Sequence, residues 1–225
     1  MNTLLEQLIL CIEKGRINSS SNHPVEMVGM DGAIELAQKA INSGISANQL
    51  LNDALMIGMK NIGVKFKENR VFLPEVLISA KAMKSCMEIL QPYFVSGEIQ
   101  HKGKVLLGTV SGDLHDIGKN IVKMILEGGG WEVLDLGVNV TPVKFVEAVN
   151  QHSVKIVGLS ALLTTTMQNM GSIVKSLKEE CKDICIIIGG APVTKTFADS
   201  IFADEYFSDP QGMLDFINKK FASVL

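Results

Sequence analysis

The 225-residue sequence carries little excess charge of either sign, since 21 basic and 24 acidic residues leave a net charge of −3. Proteins that bind a phosphate backbone normally carry a positive excess, so we expect no nucleic-acid partner. The sequence also lacks an apolar run long enough to cross a bilayer, and it opens without a signal peptide. We therefore expect a cytoplasmic protein that does not act at a membrane.

Cysteine is equally sparse, and the four cysteines at positions 11, 86, 181 and 185 form no regular pattern. The spacing of Cys181 and Cys185 suits a metal pair, but neither a second pair nor a histidine cluster accompanies them. We expect reduced and mostly buried thiols instead. Hydrophobic residues make up 47% of the chain, which is enough to bury a core.

Residues 1–95 have the apolar spacing of helices. The pattern predicts one helix near the N-terminus and three more over residues 25–43, 46–67 and 73–90. Short loops between antiparallel helices favour an all-α four-helix bundle. Residues 91–103 contain proline, glycine and several polar side chains, so we expect a hinge there and a second domain over residues 96–225.

The second domain alternates short apolar runs with helical stretches. The predicted strands cover residues 104–110, 131–137, 155–161, 184–190 and, weakly, 204–208, and the predicted helices 117–128, 142–152, 165–181, 194–202 and 211–222. Such alternation is typical of a parallel sheet covered on both faces. We expect an α/β Rossmann-like (flavodoxin-like) domain with five strands, which binds its ligand at the carboxyl ends of the strands.

Three of the loops at that edge carry polar or small residues. Residues 112–118 read GDLHDIG, residues 160–166 read SALLTTT, and residues 189–191 read GGA. A single histidine cannot build a closed zinc site, but it can supply one axial ligand to a metal that a macrocycle already holds. The first loop lacks the glycine spacing and the Lys-Ser/Thr step of a nucleotide-binding loop.

The order of these motifs resembles the cobalamin-binding domain. The resemblance rests on Asp113-x-His115-x-x-Gly118, then Ser160-x-Leu162, then Gly189-Gly190. The helical half resembles the methionine-synthase-type cap of the same proteins, through the runs GMKNIGVKF at 58–66, VFLPEV at 71–76 and AKAM at 80–83. A cap with a binding domain and little else is similar to the corrinoid proteins of methyltransferase systems.

The resemblance implies that His115 binds the cobalt of cobalamin from below and displaces the cofactor's own benzimidazole. Asp113 would accept a hydrogen bond from the other ring nitrogen, which fixes the tautomer. Thr166 stands where methionine synthase has a serine; it keeps the hydroxyl and adds a methyl group, so its part in the relay stays open. No catalytic residue is predicted.

The same resemblance implies a slot for the displaced nucleotide tail. Ser160, Thr164 and the backbone of Gly189 and Gly190 would line the slot, and Gly118 would let the tail pass close to the chain. Phe72 would shield the upper face of the cobalt. The remaining expected cofactor-binding residues are Gly112, Leu114, Asp116, Ile117, Leu162, Ala191 and Asp209. Near the last strand the chain departs from the family, with Phe202 in place of a glycine and Pro210 in place of an alanine.

The function that the resemblance implies is that of a methyl carrier rather than a complete enzyme. A substrate-specific methyltransferase would place a methyl group on cobalt, and a second methyltransferase would pass it to a thiol or a tetrahydrofolate-type acceptor. Methylamine, methanol and methoxyl compounds are the donor classes, and the sequence does not choose among them. The alternatives are a cobalamin-dependent sensor, a cobalamin-binding mutase subunit and a flavodoxin-like signalling domain without a cofactor.

Overall fold

The computed structural model describes residues 3–221. The chain divides into two compact units. One is helical and contains the residues up to His101 together with Gly128–Gly130, and the other contains the sheet and the remaining residues from Lys102 onward.

The helical unit is built from five helices. They are α1 (Leu4–Lys14), α2 (Ala33–Asn42), α3 (Ala47–Leu50), α4 (Met56–Lys67) and α5 (Leu73–Val95). A π turn over Leu51–Leu55 joins α3 to α4, so together they form the one long helix expected over residues 46–67. The predicted all-helical N-terminal region is confirmed.

Local side chains set the ends of α1 and α2. Thr3 and Glu6 cap the start of α1 reciprocally, and Gly15 ends that helix with a φ of 71°. The loop that follows folds around Arg16, which is fully buried and donates hydrogen bonds to backbone carbonyls, including that of Met30 at 2.8 Å. Glu35 accepts from the N–H of Gly32 at 2.9 Å and so fixes the first turn of α2.

Two helix boundaries differ from the prediction. The helix expected from residue 25 begins at Ala33, because Val25–Met27 form a 3₁₀ turn and Gly32 is the extended N-cap residue. The helix expected to stop near Leu90 continues to Val95 with Pro92 inside it. Proline removes one backbone donor, and this close to the end of a helix the remaining bonds carry the chain on for one more turn.

The sheet unit contains the five predicted strands. They are β1 (Lys104–Thr109), β2 (Glu132–Asp135), β3 (Ile156–Ser160), β4 (Cys185–Gly189) and β5 (Glu205–Tyr206), all paired in parallel. The helices are α6 (Ile117–Gly128), α7 (Pro142–His152), α8 (Thr164–Met167), α9 (Asn169–Glu180), α10 (Lys195–Ser200) and α11 (Pro210–Phe221). The helix expected over 165–181 is therefore split in two, and the last residue of the helix expected to reach 222 lies outside the described residues.

The strand order is β2-β1-β3-β4-β5. The chain leaves β1 toward β2 on one side and returns to β3 on the other side, so the order reverses between β1 and β3. Residues from both faces of β1, β3 and β4 are buried, as expected for a parallel sheet covered by helices on both faces. The loops that follow β1 and β3 therefore meet at the crevice where such folds bind ligands.

Within residues 3–221, no helix has the length and apolar character that a bilayer crossing needs.

Candidate functional site

Asp113 lies in the turn that follows β1, and its side chain is 0% exposed. Its two carboxylate oxygens receive four hydrogen bonds. Oδ1 accepts from the backbone N–H of His115 at 3.0 Å and lies 2.8 Å from the Nδ1 atom of the same residue. Oδ2 accepts from the N–H of Leu162 at 2.8 Å and from the Thr166 hydroxyl at 2.6 Å. Asp113 thus ties the loop after β1 to the loop after β3.

These bonds keep Asp113 ionised. Burial by itself raises the pKa of the carboxyl group, because the charged form loses water. The hydrogen bonds from Thr166, from the two backbone amides and from the His115 ring outweigh that effect and hold the pKa well below its ordinary value. A carboxylate with four donors is satisfied without a cation beside it.

The charge on Asp113 decides which nitrogen of the His115 ring carries the proton. An ionised carboxylate only accepts hydrogen bonds, so Nδ1 carries the proton in the 2.8 Å contact. In the neutral ring the lone pair then lies on Nε2. The His115 side chain is 50% exposed, and no residue among those the structure describes donates to Nε2. The ring therefore offers one nitrogen as a ligand, with its orientation fixed from behind.

The Thr166 hydroxyl reaches the relay. It lies in α8, is buried, and donates to Asp113 across the point where the strand order reverses. The added methyl group, relative to serine, does not prevent this contact. Thr109, the last residue of β1, adds a bond at the other end of the loop, since its buried hydroxyl donates to the backbone carbonyl of His115 at 3.0 Å.

The loops after β1 and β3 also carry exposed apolar side chains. Leu114, Ile117, Leu162 and Leu163 are all substantially exposed. Gly118 lies in the first turn of α6, and a Cβ atom built there would meet no protein atom within 4 Å. Apolar side chains and open space next to one nitrogen ligand suit a large planar group whose metal already has most of its ligands.

The loop after β4 lies beside the loop after β3. Ser160, the last residue of β3, pairs with Gly189, the last residue of β4, and Thr164 is exposed at the start of α8. The fold itself requires glycine at position 190. The φ of Gly190 is 134°, and a Cβ atom there would lie 1.9 Å from the carbonyl oxygen of Ala161. Ala191 is exposed in the turn that follows.

Near β5, where the sequence departs from the family, Phe202 and Pro210 each lie in a turn or at a helix start. Phe202 has a φ of 60° in the turn after α10, and its side chain is 76% exposed. Asp209 accepts from the N–H of Gly212 at 2.7 Å and so caps α11, whose first residue is Pro210. Proline at the first helical position is favourable because its missing N–H would have no partner inside the helix.

Phe72, the residue expected to shield the cobalt, belongs to the helical unit. It is the N-cap residue of α5 and is exposed. Its N–H donates to the Glu75 carboxylate at 3.2 Å. The exposed ring leaves its predicted role open.

Four contributors to this edge of the sheet were absent from the sequence prediction. Asn139 and Asn169 bind the backbone of residues 111–113. Lys119 in α6 is 3% exposed and lies 2.6 Å from both carboxylate oxygens of Asp135, the last residue of β2. The available signal was position: Asp135 and Asn139 flank the end of β2, and all strand ends of a parallel sheet meet at one edge.

Hydrogen bonds also connect Lys119 to the loop after β1. Lys119 also donates to the side-chain oxygen of Asn120 at 3.0 Å, and Asn120 donates to the Asp116 carboxylate at 3.0 Å. Burial raises the pKa of the Asp135 carboxyl group, but the ion pair with Lys119 and the N–H of Gly137 lower it overall. This chain of contacts fixes the first turn of α6 directly behind His115.

No group of three or more histidine, cysteine or carboxylate side chains in residues 3–221 is arranged to hold a metal ion. The four cysteines are free and buried, as expected from their spacing. The donor set at this edge thus contains one imidazole nitrogen, which fits a metal supplied with its own macrocycle and does not fit a bare ion.

Comparison with known proteins agrees with this chemistry. A family model described as a B12 binding domain matches residues 103–209, and a second model of the same description matches residues 30–91. The chain is 37% identical over 194 residues to a corrinoid protein of Desulfitobacterium hafniense (strain Y51), an overlap of 84% of this chain and 90% of that protein.

The chain is also 41% identical over 178 residues to the trimethylamine corrinoid protein of Methanosarcina barkeri, an overlap of 77% of this chain and 82% of that protein. This chain belongs to the corrinoid proteins. Among solved structures, one chain of the methanol:cobalamin methyltransferase complex MtaBC from Methanosarcina barkeri matches 99% of this corrinoid protein and 80% of its own length, with a TM-score of 0.80 and 29% identity. The predicted family and fold class are confirmed, and cobalamin is the cofactor.

Proposed function

We propose that this corrinoid protein is a methyl carrier. A substrate-specific methyltransferase loads the methyl group, and a second methyltransferase passes it to a thiol or a tetrahydrofolate-type acceptor. When bound, the corrinoid supplies a cobalt centre that accepts and releases the methyl group, and the protein supplies binding and orientation. The observation that carries the proposal is the hydrogen-bonded series from Thr166 through Asp113 to His115.

His115 is the residue that holds the cobalt from below, through Nε2. Asp113 keeps the proton on Nδ1, so Nε2 carries the lone pair and is free to act as a ligand. Thr166 donates to the same carboxylate and holds it in place beside the ring. No side chain here is assigned as a catalytic acid or base.

The displaced nucleotide tail lies in a slot between the loops after β1, β3 and β4. The open space beside Gly118 and the small residues at the ends of β3 and β4 support this assignment. Ser160 and Thr164 supply hydroxyl groups, and Gly189 supplies backbone. Leu114, Ile117 and Leu162 provide apolar contact for the corrin ring.

Two family models that match separate parts of the chain support a division into two domains with different roles. Residues 1–95 form a helical cap, residues 96–225 form the cobalamin-binding domain, and Phe72 in the cap shields the upper face of the cobalt. The methyl donor is a methylamine, methanol or a methoxyl compound. Relatives named for trimethylamine and dimethylamine, and a structural relative in a methanol system, support this range.

The replacement of the proposed ligand tests the function. His115→Ala, loaded with hydroxocobalamin, is expected to lose the visible spectrum of a histidine-ligated corrinoid and to lose methyl transfer between the two partner enzymes. The fold survives, because the ring is half exposed and its removal leaves Asp113 with three of its four donors. His152→Ala, at the end of α7, is the matched control and keeps both properties. An unchanged spectrum in His115→Ala contradicts the assignment.

A further inference from the structure

Asn139 contacts the loop after β1 from the side of β2, whereas Thr166 contacts it from the side of β3. It lies in the connection between β2 and α7 and makes two hydrogen bonds to neighbouring residues of the loop after β1. Its side-chain oxygen accepts from the N–H of Gly112 at 2.7 Å, and its own N–H donates to the carbonyl of Asp113 at 3.0 Å. The two bonds run in opposite directions, so they fix both the position and the tilt of the Gly112–Asp113 backbone.

The backbone conformations make this contact specific to the residue types present. Asn139 has a φ of 53° and Gly112 a φ of 81°, so both residues are left-handed. Asparagine tolerates that region better than most side chains, and glycine enters it without cost. Gly112 is an exposed residue, yet its N–H is bound by the Asn139 side chain. The hydrogen exchange rate of the Gly112 amide therefore reports directly on this hydrogen bond.

Few other bonds hold this stretch of backbone. Asn169 donates to the carbonyl of Ser111 at 2.7 Å, and the N–H of Asp113 donates to the carbonyl of Val110 at 3.1 Å. The carbonyl of Asp113 is bound by Asn139. The orientation of the Asp113 peptide, and with it the direction of the carboxylate, therefore depends on the loop after β2 as well as on the loop after β3.

We propose that Asn139 is a positioning residue for the cobalt ligand: it locks the Gly112–Asp113 backbone, so that the Asp113 carboxylate meets the Nδ1 atom of His115. Asn139 acts through Asp113 and touches neither the cobalt nor the methyl group. This inference rests on the proposed ligation by His115, and its test is designed to separate the two.

Three variants test the proposal. Asn139→Gly keeps the left-handed backbone and removes the side-chain oxygen, while Asn139→Asp keeps an acceptor in the same place and is the conservative rescue. Ser153→Gly is the matched control, because Ser153 is another left-handed residue of the sheet unit, with a φ of 52°, at the end of α7. Each variant is prepared with histidine that carries the heavy nitrogen isotope. It is measured without cofactor by amide exchange, and after loading with hydroxocobalamin and one-electron reduction by electron paramagnetic resonance.

In Asn139→Gly the Gly112 amide is expected to exchange about five- to tenfold faster, which corresponds to the loss of one hydrogen bond. The fraction of bound cobalt that shows nitrogen coupling from histidine is expected to fall as well, while Asn139→Asp and Ser153→Gly remain close to the parent protein. An unchanged exchange rate, or an unchanged histidine-coupled fraction, in Asn139→Gly overturns the proposal. An equal loss in Ser153→Gly also overturns it, because the effect would then be general loosening.

Two further measurements keep the inference decidable. If Asn139→Gly does not fold, the Gly112 amide of the parent protein is compared with the rate of an unstructured glycine; an unprotected amide rules out the bond to Asn139. If the parent protein shows no histidine coupling, the ligation by His115 fails. If the parent protein shows it and Asn139→Gly shows it equally, only the role of Asn139 fails.

Discussion

The loop after β1 and the loop after β4 lie at the same edge of one sheet, but different interactions fix them. In the loop after β1, side chains do the positioning: Asp113 collects four hydrogen bonds and Asn139 adds two more. After β4, backbone conformation dominates, as in Gly190 with its close approach to Ala161. Neighbouring motifs of the proposed cofactor site can therefore respond to mutation for unrelated reasons.

A methyl group at each of two glycines tests this contrast with the largest expected effect. Gly190→Ala should lower the free energy of unfolding by roughly 4 kcal/mol, because the Cβ atom collides with a backbone carbonyl and the left-handed conformation is strained. Gly118→Ala should leave stability within about 0.5 kcal/mol, since its Cβ atom meets open space. Urea denaturation of the cofactor-free protein measures both values.

Cobalamin binding then separates the two glycines again. In our account Gly118→Ala weakens the uptake of hydroxocobalamin, because the methyl group enters the space proposed for the nucleotide tail. Gly118→Ala binding as tightly as the parent protein would remove Gly118 from the slot.

Lys119→Met tests the second polar contact behind the site. The change leaves the Asp135 carboxylate largely buried with only Lys123 nearby, at 3.7 Å, so stability at pH 7 should fall by about 2–3 kcal/mol. The pKa of Asp135 is lowered in the folded protein, so its contribution is present above its unfolded pKa of about 4 and is lost as the pH falls through the folded value. The difference between the parent protein and the variant should shrink over that acid range.

The same measurement has a clear control. Lys123→Met removes a more distant and more exposed lysine, so it should cost under about 1 kcal/mol. Equal losses in the two variants would show that Lys119 has no special role.

Thr166→Val removes the hydroxyl group and keeps the shape of the side chain. Asp113 then loses the donor at 2.6 Å in a buried position, and the free energy of unfolding should fall by about 1.5–2 kcal/mol. Thr166→Ser keeps the donor and should stay closer to the parent protein. A neutral Thr166→Val would show that the backbone donors alone satisfy the carboxylate.

Phe202→Gly has the smallest expected effect and the opposite sign. Relief of a left-handed φ of 60° should raise stability by about 1 kcal/mol, since the exposed ring contributes little packing. Phe202→Ala removes the ring and keeps the Cβ atom, so it should show no such gain. A gain of equal size in Phe202→Ala would attribute the effect to the exposed ring.

Short-range patterns explain why much of the site was predictable. Asp113 and His115 are two residues apart, and the contact that the resemblance implies forms within the turn that follows β1. The alternation of strands and helices predicted all five strands. The signal is strongest for β1, β3 and β4, because parallel strands buried on both faces read as short apolar runs. Ser160 and Gly189 became neighbours once the strands were placed in order.

Contacts between distant loops explain what was missed. Asn139 lies in the connection after β2 and Lys119 lies in α6, and each binds a residue of another element, so no local spacing encodes the contact. The role of Thr166 was open because a sequence shows a hydroxyl group without showing where it points. The end of α5 was predicted too early because of Pro92, since the effect of proline on a helix depends on how many helical bonds remain beyond it.

The central claim is that the nitrogen bound to cobalt belongs to His115. The most direct measurement is electron paramagnetic resonance of the one-electron-reduced, cobalamin-loaded protein, prepared once with ordinary histidine and once with histidine that carries the heavy nitrogen isotope. The account predicts that the triplet splitting from the axial nitrogen becomes a doublet in the labelled protein and that the coupling is absent from His115→Ala. A triplet that persists in the labelled protein would mean that the cofactor's own benzimidazole occupies the lower position, and it would contradict the account.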